Sequence, residues 1–475
     1  MVIVIVMVNI IMHLDMNSYF ATVEQQDNPD WRGQPLGVCE HLGGIIIAAS
    51  IEAKKWGIKT GTPVWEAKKL YPKIILTHTR AEAYRNYNRK LVKLVGDYVG
   101  EVEVASIDEV YLDMTKACNI QISNFQFSIS NEIQNPKSKL AQLATSDSQL
   151  ATGYVNPFEE AVRIAREIKQ RMKTEVGDYL TCSIGIADNK LVAKIASDLQ
   201  KPDGLTLISN FQFSRPQSLE APADGGQAIS NEIQNQKILI LNKQDLYQKL
   251  KLTDIPGIGR RMEKRLNVLG IRTLLDLKNC PHSLLVSVFG INGHHLYNMG
   301  QLQGSWKAVV HQDSEIKSIG HMYTLPKEFR QAKFFVPVLY KLCEMVGRRL
   351  RNKNLSGNII YFYLRDKNYQ GCGESRRLDF YIYDGRDIFM QCMKIYERLK
   401  IANTEFKLIG VTVAGLAPAS HQQSLFKDEA KKEQVAKALD VINKKYGDFT
   451  VCRAPILAAG KVFHDSIGFG RVKEI

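Results

Sequence analysis

Glu101-Val-Glu-Val-Ala-Ser-Ile-Asp-Glu-Val-Tyr-Leu-Asp-Met114 reads as two strands joined through a pair of carboxylates. Val102 and Val104 alternate with polar or small residues on the outgoing arm. Val110, Leu112 and Met114 alternate on the returning one, so each arm offers one face to a core. Asp108 and Glu109 occupy the expected tip. Tight hairpin turns favour Asn-Gly or Asp-Gly because they need positive φ, so an acidic pair there accepts a local cost and charge repulsion. Such departures often mark functional sites, although a solvated acidic turn reads the same way in isolation.

A third carboxylate lies upstream. The apolar run Ile10-Ile-Met-His-Leu14 reads as a buried strand and ends in Asp15-Met-Asn-Ser-Tyr-Phe20, just before a helix-like segment. Three acidic groups at strand ends of one sheet suit hard divalent cations such as Mg²⁺, which prefer oxygen ligands. Two such ions, at ~3.5–4 Å separation, clamp a phosphoryl transfer by activating the attacking oxygen and neutralising the leaving group.

With these residues in view, Asp15-Met-Asn-Ser-Tyr-Phe-Ala-Thr-Val-Glu24 and Ala105-Ser-Ile-Asp-Glu-Val-Tyr-Leu-Asp113 together resemble the catalytic signature of Y-family translesion DNA polymerases, the DNA polymerase IV branch in particular. The resemblance continues in order through Ser183-Ile-Gly-Ile-Ala-Asp-Asn-Lys-Leu-Val-Ala-Lys-Ile-Ala196, Lys201-Pro-Asp-Gly204 and Ile255-Pro-Gly-Ile-Gly259. It implies an α+β multidomain, right-hand architecture: palm (1–19 and 80–241), fingers (20–79), helical thumb (242–304), a split βαβ little finger (315–418) and a tail (419–475). It also implies roles. Asp15, Asp108 and Glu109, with the Met16 carbonyl, would bind two Mg²⁺ ions, and Phe20 would be the steric gate against a 2′-hydroxyl. Lys194 would contact the triphosphate. Where the family usually carries a Tyr and an Arg on the nucleotide, this chain has Ile51 and Lys54. Ile51 donates no hydrogen bond, and Lys54 is a point charge where Arg would fork.

Bulk properties agree. A chain of 475 residues is long enough for several domains. Net charge +14 and a pI near 9.2 point to a polyanionic partner, nucleic acid ahead of an acidic membrane surface. Eight cysteines without a C-x-x-C pair indicate neither a disulfide framework nor a zinc knuckle, and a reducing cytoplasm is the simplest setting. The apolar start, Met1 to Met12, lacks a basic lead and falls short of the ~20 residues needed to span a bilayer. We expect strand there, and Met7 is a second candidate start.

Other elements follow from spacing. Ala81 to Val99 reads as a helix with Tyr84, Asn88, Leu91, Val95 and Tyr98 on one face. Phe158 to Thr174 reads as another, with Ala161, Ile164, Ile168 and Met172 inward and Arg163, Arg166, Lys169 and Lys173 elsewhere. Arg80 and Arg85 either approach phosphate or decorate a solvated face. Tyr179 to Gly185 is expected as strand, and Asn189 to Leu199 as helix. Ile255-Pro-Gly-Ile-Gly259, followed by Met262, Leu266 and Leu269, has the form of a helix-hairpin-helix loop in which Gly257 and Gly259 let backbone approach phosphate. From Ser318 the pattern is strand, helix (334–351), strand (358–365), strand (376–383), helix (388–401) and strand (407–416). Lys317, Lys327, Arg330, Arg348, Arg349 and Arg351 supply cations for a duplex backbone.

Two segments fit no polymerase pattern. Ile122-Ser-Asn-Phe-Gln-Phe-Ser128 recurs as Ile208 to Ser214, and Ile129-Ser-Asn-Glu-Ile-Gln-Asn135 recurs as Ile229 to Asn235. They read as insertions, about 120–153 and 208–238, at joints that tolerate length; a partner-binding module is the alternative. Gln422-Gln-Ser-Leu-Phe426 resembles the motif by which bacterial polymerases bind a sliding clamp, with Leu425 and Phe426 in an apolar pocket and Gln422 anchoring. The expectation is therefore a low-fidelity, lesion-bypassing, template-directed DNA polymerase. It would act as a monomer on primer-template DNA and deoxyribonucleoside triphosphates, without a membrane. The alternatives are a DNA-binding scaffold that has lost catalysis and a metal-dependent nucleotidyl cyclase.

Overall fold

The protein is described from a computed structural model over residues 9–39, 44–119, 157–209, 238–304, 316–325, 330, 332–366, 368, 370–399, 405–419 and 427–459. These fall into two compact units that part between 304 and 316.

The first unit is built on β1 (Ile11–Met16), every residue of which is buried. Ile10, Met12, Leu14 and Met16 pack into one core, whereas Ile11 belongs to a second core on the opposite face. A strand covered on both faces reads as a continuous apolar run, which is how it looks in sequence. Complete burial of each Leu or Ile stabilises by about 1.5–3 kcal/mol. Helix α1 (Tyr19–Asp27) follows directly. Beyond it, β2 (Leu36–Cys39), β3 (Ile46–Ala49), α2 (Ile51–Lys55), α3 (Val64–Leu70) and β4 (Ile75–His78) form a small three-stranded module, strand order β3-β2-β4. It has its own core around Cys39, Ile46, Ala53, Ile58 and Val64.

α4 (Ala81–Gly96) buries Tyr84, Asn88, Leu91 and Val95 as its spacing predicts, while Tyr98 lies past its end and is half-buried. The hairpin then forms from β5 (Val102–Val104) and β6 (Glu109–Asp113), with Val102 opposite Leu112 and Val104 opposite Val110. After α5 (Thr115–Asn119) come α6 (Pro157–Arg171), β7 (Cys182–Ala187), α7 (Lys190–Leu199), β8 (Leu205–Ile208) and β9 (Leu239–Leu241). The sheet order is β5-β6-β1-β7-β8-β9. α4 and α6 cover one face, and α7 covers the other.

Three details depart from the sequence reading. α6 ends at Arg171 and passes into a π-helical turn, Met172–Val176. Lys169, expected on the polar side, is buried, because its ammonium donates to the carbonyls of Cys182, Asp203 and Gly204 at 3.0, 2.7 and 3.2 Å and so ties α6 to the sheet. The strand expected at Tyr179 starts at Cys182.

Five helices complete the unit: α8 (Lys243–Lys249), α9 (Arg260–Val268), α10 (Leu274–Asn279), α11 (His282–Phe289) and α12 (Ile291–Gly300). Leu266 at the centre of α9 is buried with Leu274, Leu285 and Leu296. The loop before α9 turns at Gly257, whose φ of +99° is open to glycine at little cost.

In the second unit β10 (Ser318–Thr324), α13 (Ala332–Asn352), β11 (Leu355–Asp366), β12 (Gly371–Ile382), α14 (Gly385–Leu399) and β13 (Phe406–Pro418) follow the expected β-α-β-β-α-β order. The sheet order is β10-β13-β11-β12 with all neighbours antiparallel. β13 therefore lies between the parallel strands β10 and β11, and β11 between β12 and β13. Both β-α-β crossovers are split. α15 (Lys427–Tyr446) and α16 (Ala454–Leu457) close the described chain. All eight cysteines are free thiols, and no helix among the described residues is long and apolar enough to cross a membrane.

Candidate active site

Register brings the acidic residues together. Asp15 in β1 stands directly opposite Glu109 in β6 and opposite Ser183 in β7. Directly paired residues on antiparallel strands share a face with Cβ atoms about 4.5–5.5 Å apart. Asp108 is drawn in by its backbone, since its carbonyl accepts from the Met16 amide at 2.9 Å.

The turn differs from expectation. Asp108 and Glu109 are not the centre of a two-residue turn; the loop spans 105–108, and Glu109 is the first residue of β6. The Ala105 and Ser106 amides both donate to the Glu109 carbonyl, at 2.9 and 3.2 Å, and no residue of the loop has positive φ. Ser106 Oγ donates to Asp108 Oδ1 at 2.5 Å. The conformational cost inferred from the acidic pair is absent because the loop is longer.

The electrostatic cost remains. Burial pushes the Asp15 carboxyl up to about 7; Lys201 opposes this, while Glu109 and Asp108 add to it. Burial also raises Asp108, with Ser106 easing and Glu109 aggravating the shift. Two ammonium groups answer this charge. Lys201 Nζ donates to Asp15 Oδ2 at 2.7 Å and pairs with Asp198 at 2.6 Å, and Lys194 Nζ donates to Glu109 Oε1 at 2.6 Å. Among the described residues no three His, Cys, Asp or Glu side chains are gathered closely enough to hold an ion, and lysines stand against two of the three acids. The donor set is nonetheless all carboxylate oxygen, and those ammoniums show that it draws positive charge; a hard cation fits.

A cleft of about 570 Å³ opens beside these groups, lined by Asp15, Met16, Phe20, Ile51, Lys54, Asp108 and Lys201. Ser18, at φ +50°, turns the chain out of the strand, and its Oγ accepts from Lys54 Nζ at 2.7 Å. Burial lowers Lys54, Lys201 repels it further, and Asp15 partly compensates. Phe20 is buried and stacked on Tyr84, with ring centroids 4.3 Å apart and planes 13° from parallel. The Tyr84 hydroxyl donates to Glu24 Oε1 at 2.7 Å, and Glu24 also receives Arg80 Nε at 2.9 Å. Arg80, for which phosphate or solvent was expected, instead braces this stack and pairs with Asp27 at 2.7 Å. Arg85 pairs with Glu82 at 3.3 Å.

Sequence reasoning missed two neighbours. Lys201 meets Asp15 across 186 residues, a contact that its own motif does not reveal. His13 is fully buried, with Nδ1 2.8 Å from Ser197 Oγ and Nε2 3.9 Å from Glu109 Oε2. Burial holds its pKa well below the ordinary value, and Lys194 and Lys201 add to that.

The remaining expected residues lie elsewhere. Gly257 shapes the loop before α9, and Gly259 is the N-cap of that helix, leaving its first amides without a side-chain acceptor. Arg348 forks onto Asp448 with both bonds at 2.7 Å, and Arg351 onto Asp440 at 2.6 and 2.8 Å. Arg330 donates to the Leu325 carbonyl at 3.3 Å, and Arg349 to that of Gly320 at 3.3 Å. Lys317 is exposed. Lys327, both copies of the repeats apart from Ile208 and Ser209, the segment before Asn9, and Gln422, Leu425 and Phe426 lie outside the described residues.

Comparison with known proteins finds relatives along most of the chain. Family models match residues 14–198 (impB/mucB/samB family), 253–303 (DNA polymerase-iota, thumb domain) and 316–425 (impB/mucB/samB family C-terminal domain). The DNA polymerase IV of Moorella thermoacetica is 30% identical over 455 residues, covering 95% of this chain and 96% of that protein. DNA polymerase IV 1 of Bacillus subtilis is 28% identical over 449 residues, covering 92% and 91%. A solved Y-family DNA polymerase chimera superimposes with TM-score 0.63 at 24% identity, covering 85% of this chain and 98% of its own.

Proposed function

The chain belongs to the DNA polymerase IV family of Y-family DNA polymerases, and from that premise we propose how its residues divide the work of template-directed, low-fidelity translesion DNA synthesis. Asp15, Asp108 and Glu109, with the Met16 carbonyl, would hold two Mg²⁺ ions. Bound there, the ions would supply Lewis acidity to the primer's terminal hydroxyl and countercharge to the leaving pyrophosphate. Lys201, Lys194 and Lys54 offer ammonium donors to the triphosphate, a developing charge that fixed cations stabilise most when water is scarce. Ile51 contributes only apolar surface. Phe20, backed by Tyr84, leaves no space for a 2′-hydroxyl and so selects deoxyribonucleotides.

The observation that carries this reading is the Asp15–Glu109 register with Asp108 beside it, at the edge of a cleft that also contains Phe20, Lys54 and Lys201. Gly257 and Gly259 present backbone amides to the duplex. Arg330 and Lys317 add a sequence-independent attraction in the second unit. The protein acts in the cytoplasm as a monomer, and Gln422, Leu425 and Phe426 engage a sliding clamp.

The decisive assay is Mg²⁺-dependent primer extension on undamaged and damaged template, with Asp108→Ala and Glu109→Ala as controls. Extension by the parent chain and its loss in both variants, with primer-template binding intact, is expected. Tight binding without extension by the parent chain would instead identify a DNA-binding scaffold.

A further inference from the structure

The turn between β7 and α7 makes two sets of bonds that point in opposite directions. Asn189 caps α7 by accepting from the Val192 amide at 3.1 Å. Its amide nitrogen donates to the Leu302 carbonyl at 3.1 Å and to Asp188 Oδ1 at 2.8 Å. Asn189 and Leu302 are both buried, and Leu302 sits at φ +52° just past α12. The other oxygen of Asp188 accepts from Lys243 Nζ, the first residue of α8, at 2.5 Å. Two adjacent side chains therefore hold the beginning and the end of the five-helix module. Gly304 seats against the same point. A Cβ there would lie 2.6 Å from Asn189 Oδ1 and 2.8 Å from Leu191 Cβ.

Capping does not account for this choice of residue, since Ser or Asp caps as well as Asn. Only Asn adds the two donors. The helix it caps carries Lys194 to Glu109, and the strand preceding it pairs with β1 at Asp15. We propose that the Asp188–Asn189 turn is a clasp that fixes both ends of the thumb to the catalytic sheet, making Asn189 a positioning residue for the duplex. The clasp rests on the reading that the loop at Gly257 grips DNA.

Two variants attack the clasp from opposite sides. Asn189→Ser keeps a capping oxygen but loses both donors, and Gly304→Ala crowds the seat while leaving Asn189 unchanged. In each, primer-template dissociation should quicken about fivefold, the worth of one neutral hydrogen bond, and nucleotides added per binding event should fall in proportion. Single-turnover insertion from the pre-formed complex, and the nucleotide KM, should stay within about twofold, the split expected of lost positioning rather than lost chemistry. Unchanged dissociation in both variants overturns the clasp, as does an insertion rate that falls as far as dissociation rises. Gly257→Val separates the two ideas. If it accelerates dissociation and the clasp variants do not, the clasp alone is wrong; if it also changes nothing, the thumb-loop reading fails with it.

Discussion

Gly185→Ala probes the seating of α7 on the sheet. Gly185 lies opposite His13 in the β1–β7 register, with α7 packed over it. A Cβ at this position would fall 2.1 Å from the Ala193 carbonyl oxygen, 2.3 Å from the Ser197 amide nitrogen and 2.8 Å from Ala196 Cβ. Two of the three are backbone atoms, so no side-chain rotation relieves the overlap and the helix must retreat by roughly 1 Å. Overpacking of this kind costs about 1–3 kcal/mol. At about 2–4 °C per kcal/mol for a large domain, the thermal midpoint should fall by several degrees. Lys194 travels with the helix, and a retreat of that size takes its ammonium beyond hydrogen-bond reach of Glu109, now 2.6 Å away. Misplacement on the order of 1 Å at a reacting centre costs about 10²-fold in rate. Differential scanning fluorimetry and single-turnover insertion at saturating nucleotide measure the two effects, with primer-template affinity as the control. Parental stability would show that the helix is not held against Gly185. Lost stability with parental insertion would show that the Lys194 position is immaterial to chemistry.

Three further outcomes are expected. Phe20→Ala should admit ribonucleotides, and unchanged sugar discrimination in single-nucleotide insertion removes the gate assignment. Glu24→Gln weakens the buried acceptor shared by Tyr84 and Arg80 and should destabilise by about 1–3 kcal/mol; an unshifted denaturation midpoint contradicts the bracing role. In a Leu425→Ala, Phe426→Ala double variant, stimulation by a sliding clamp should vanish while distributive synthesis persists, and retained stimulation rejects the motif.

Local periodicity made most elements legible, and long-range company decided the remainder. Val102, Val104, Val110 and Leu112 alternate as a hairpin must, and α4 buries the residues its spacing names. β12 begins at Gly371, five residues before the expected Arg376, because Gly-Cys-Gly-Glu-Ser has loop composition. Those glycines serve a neighbour: a Cβ on Gly371 would sit 2.1 Å from the Tyr363 hydroxyl, and one on Gly373 would sit 2.7 Å from the Phe362 carbonyl. A requirement imposed by the adjacent strand leaves no local trace. α13 similarly extends from Ala332 to Asn352 and contains Pro337. The three carboxylates were legible because strand ends and motif order reveal them. Lys201 and His13 were not, since a lysine or histidine acquires its role only from what it faces after folding.

The arginine pairs of the second unit bear on ionic strength. Arg348 and Arg351 are bound bidentately to Asp448 and Asp440, so two of the cations counted along this stretch are already neutralised within the protein. DNA binding releases about 0.9 counterions per phosphate neutralised. The logarithmic dependence of affinity on salt should therefore be shallower, by about 2, than a count of lysines and arginines implies. The net charge of +14 already subtracts those aspartates, so the pairs leave it unchanged and alter instead which individual cations a polyanion can take up.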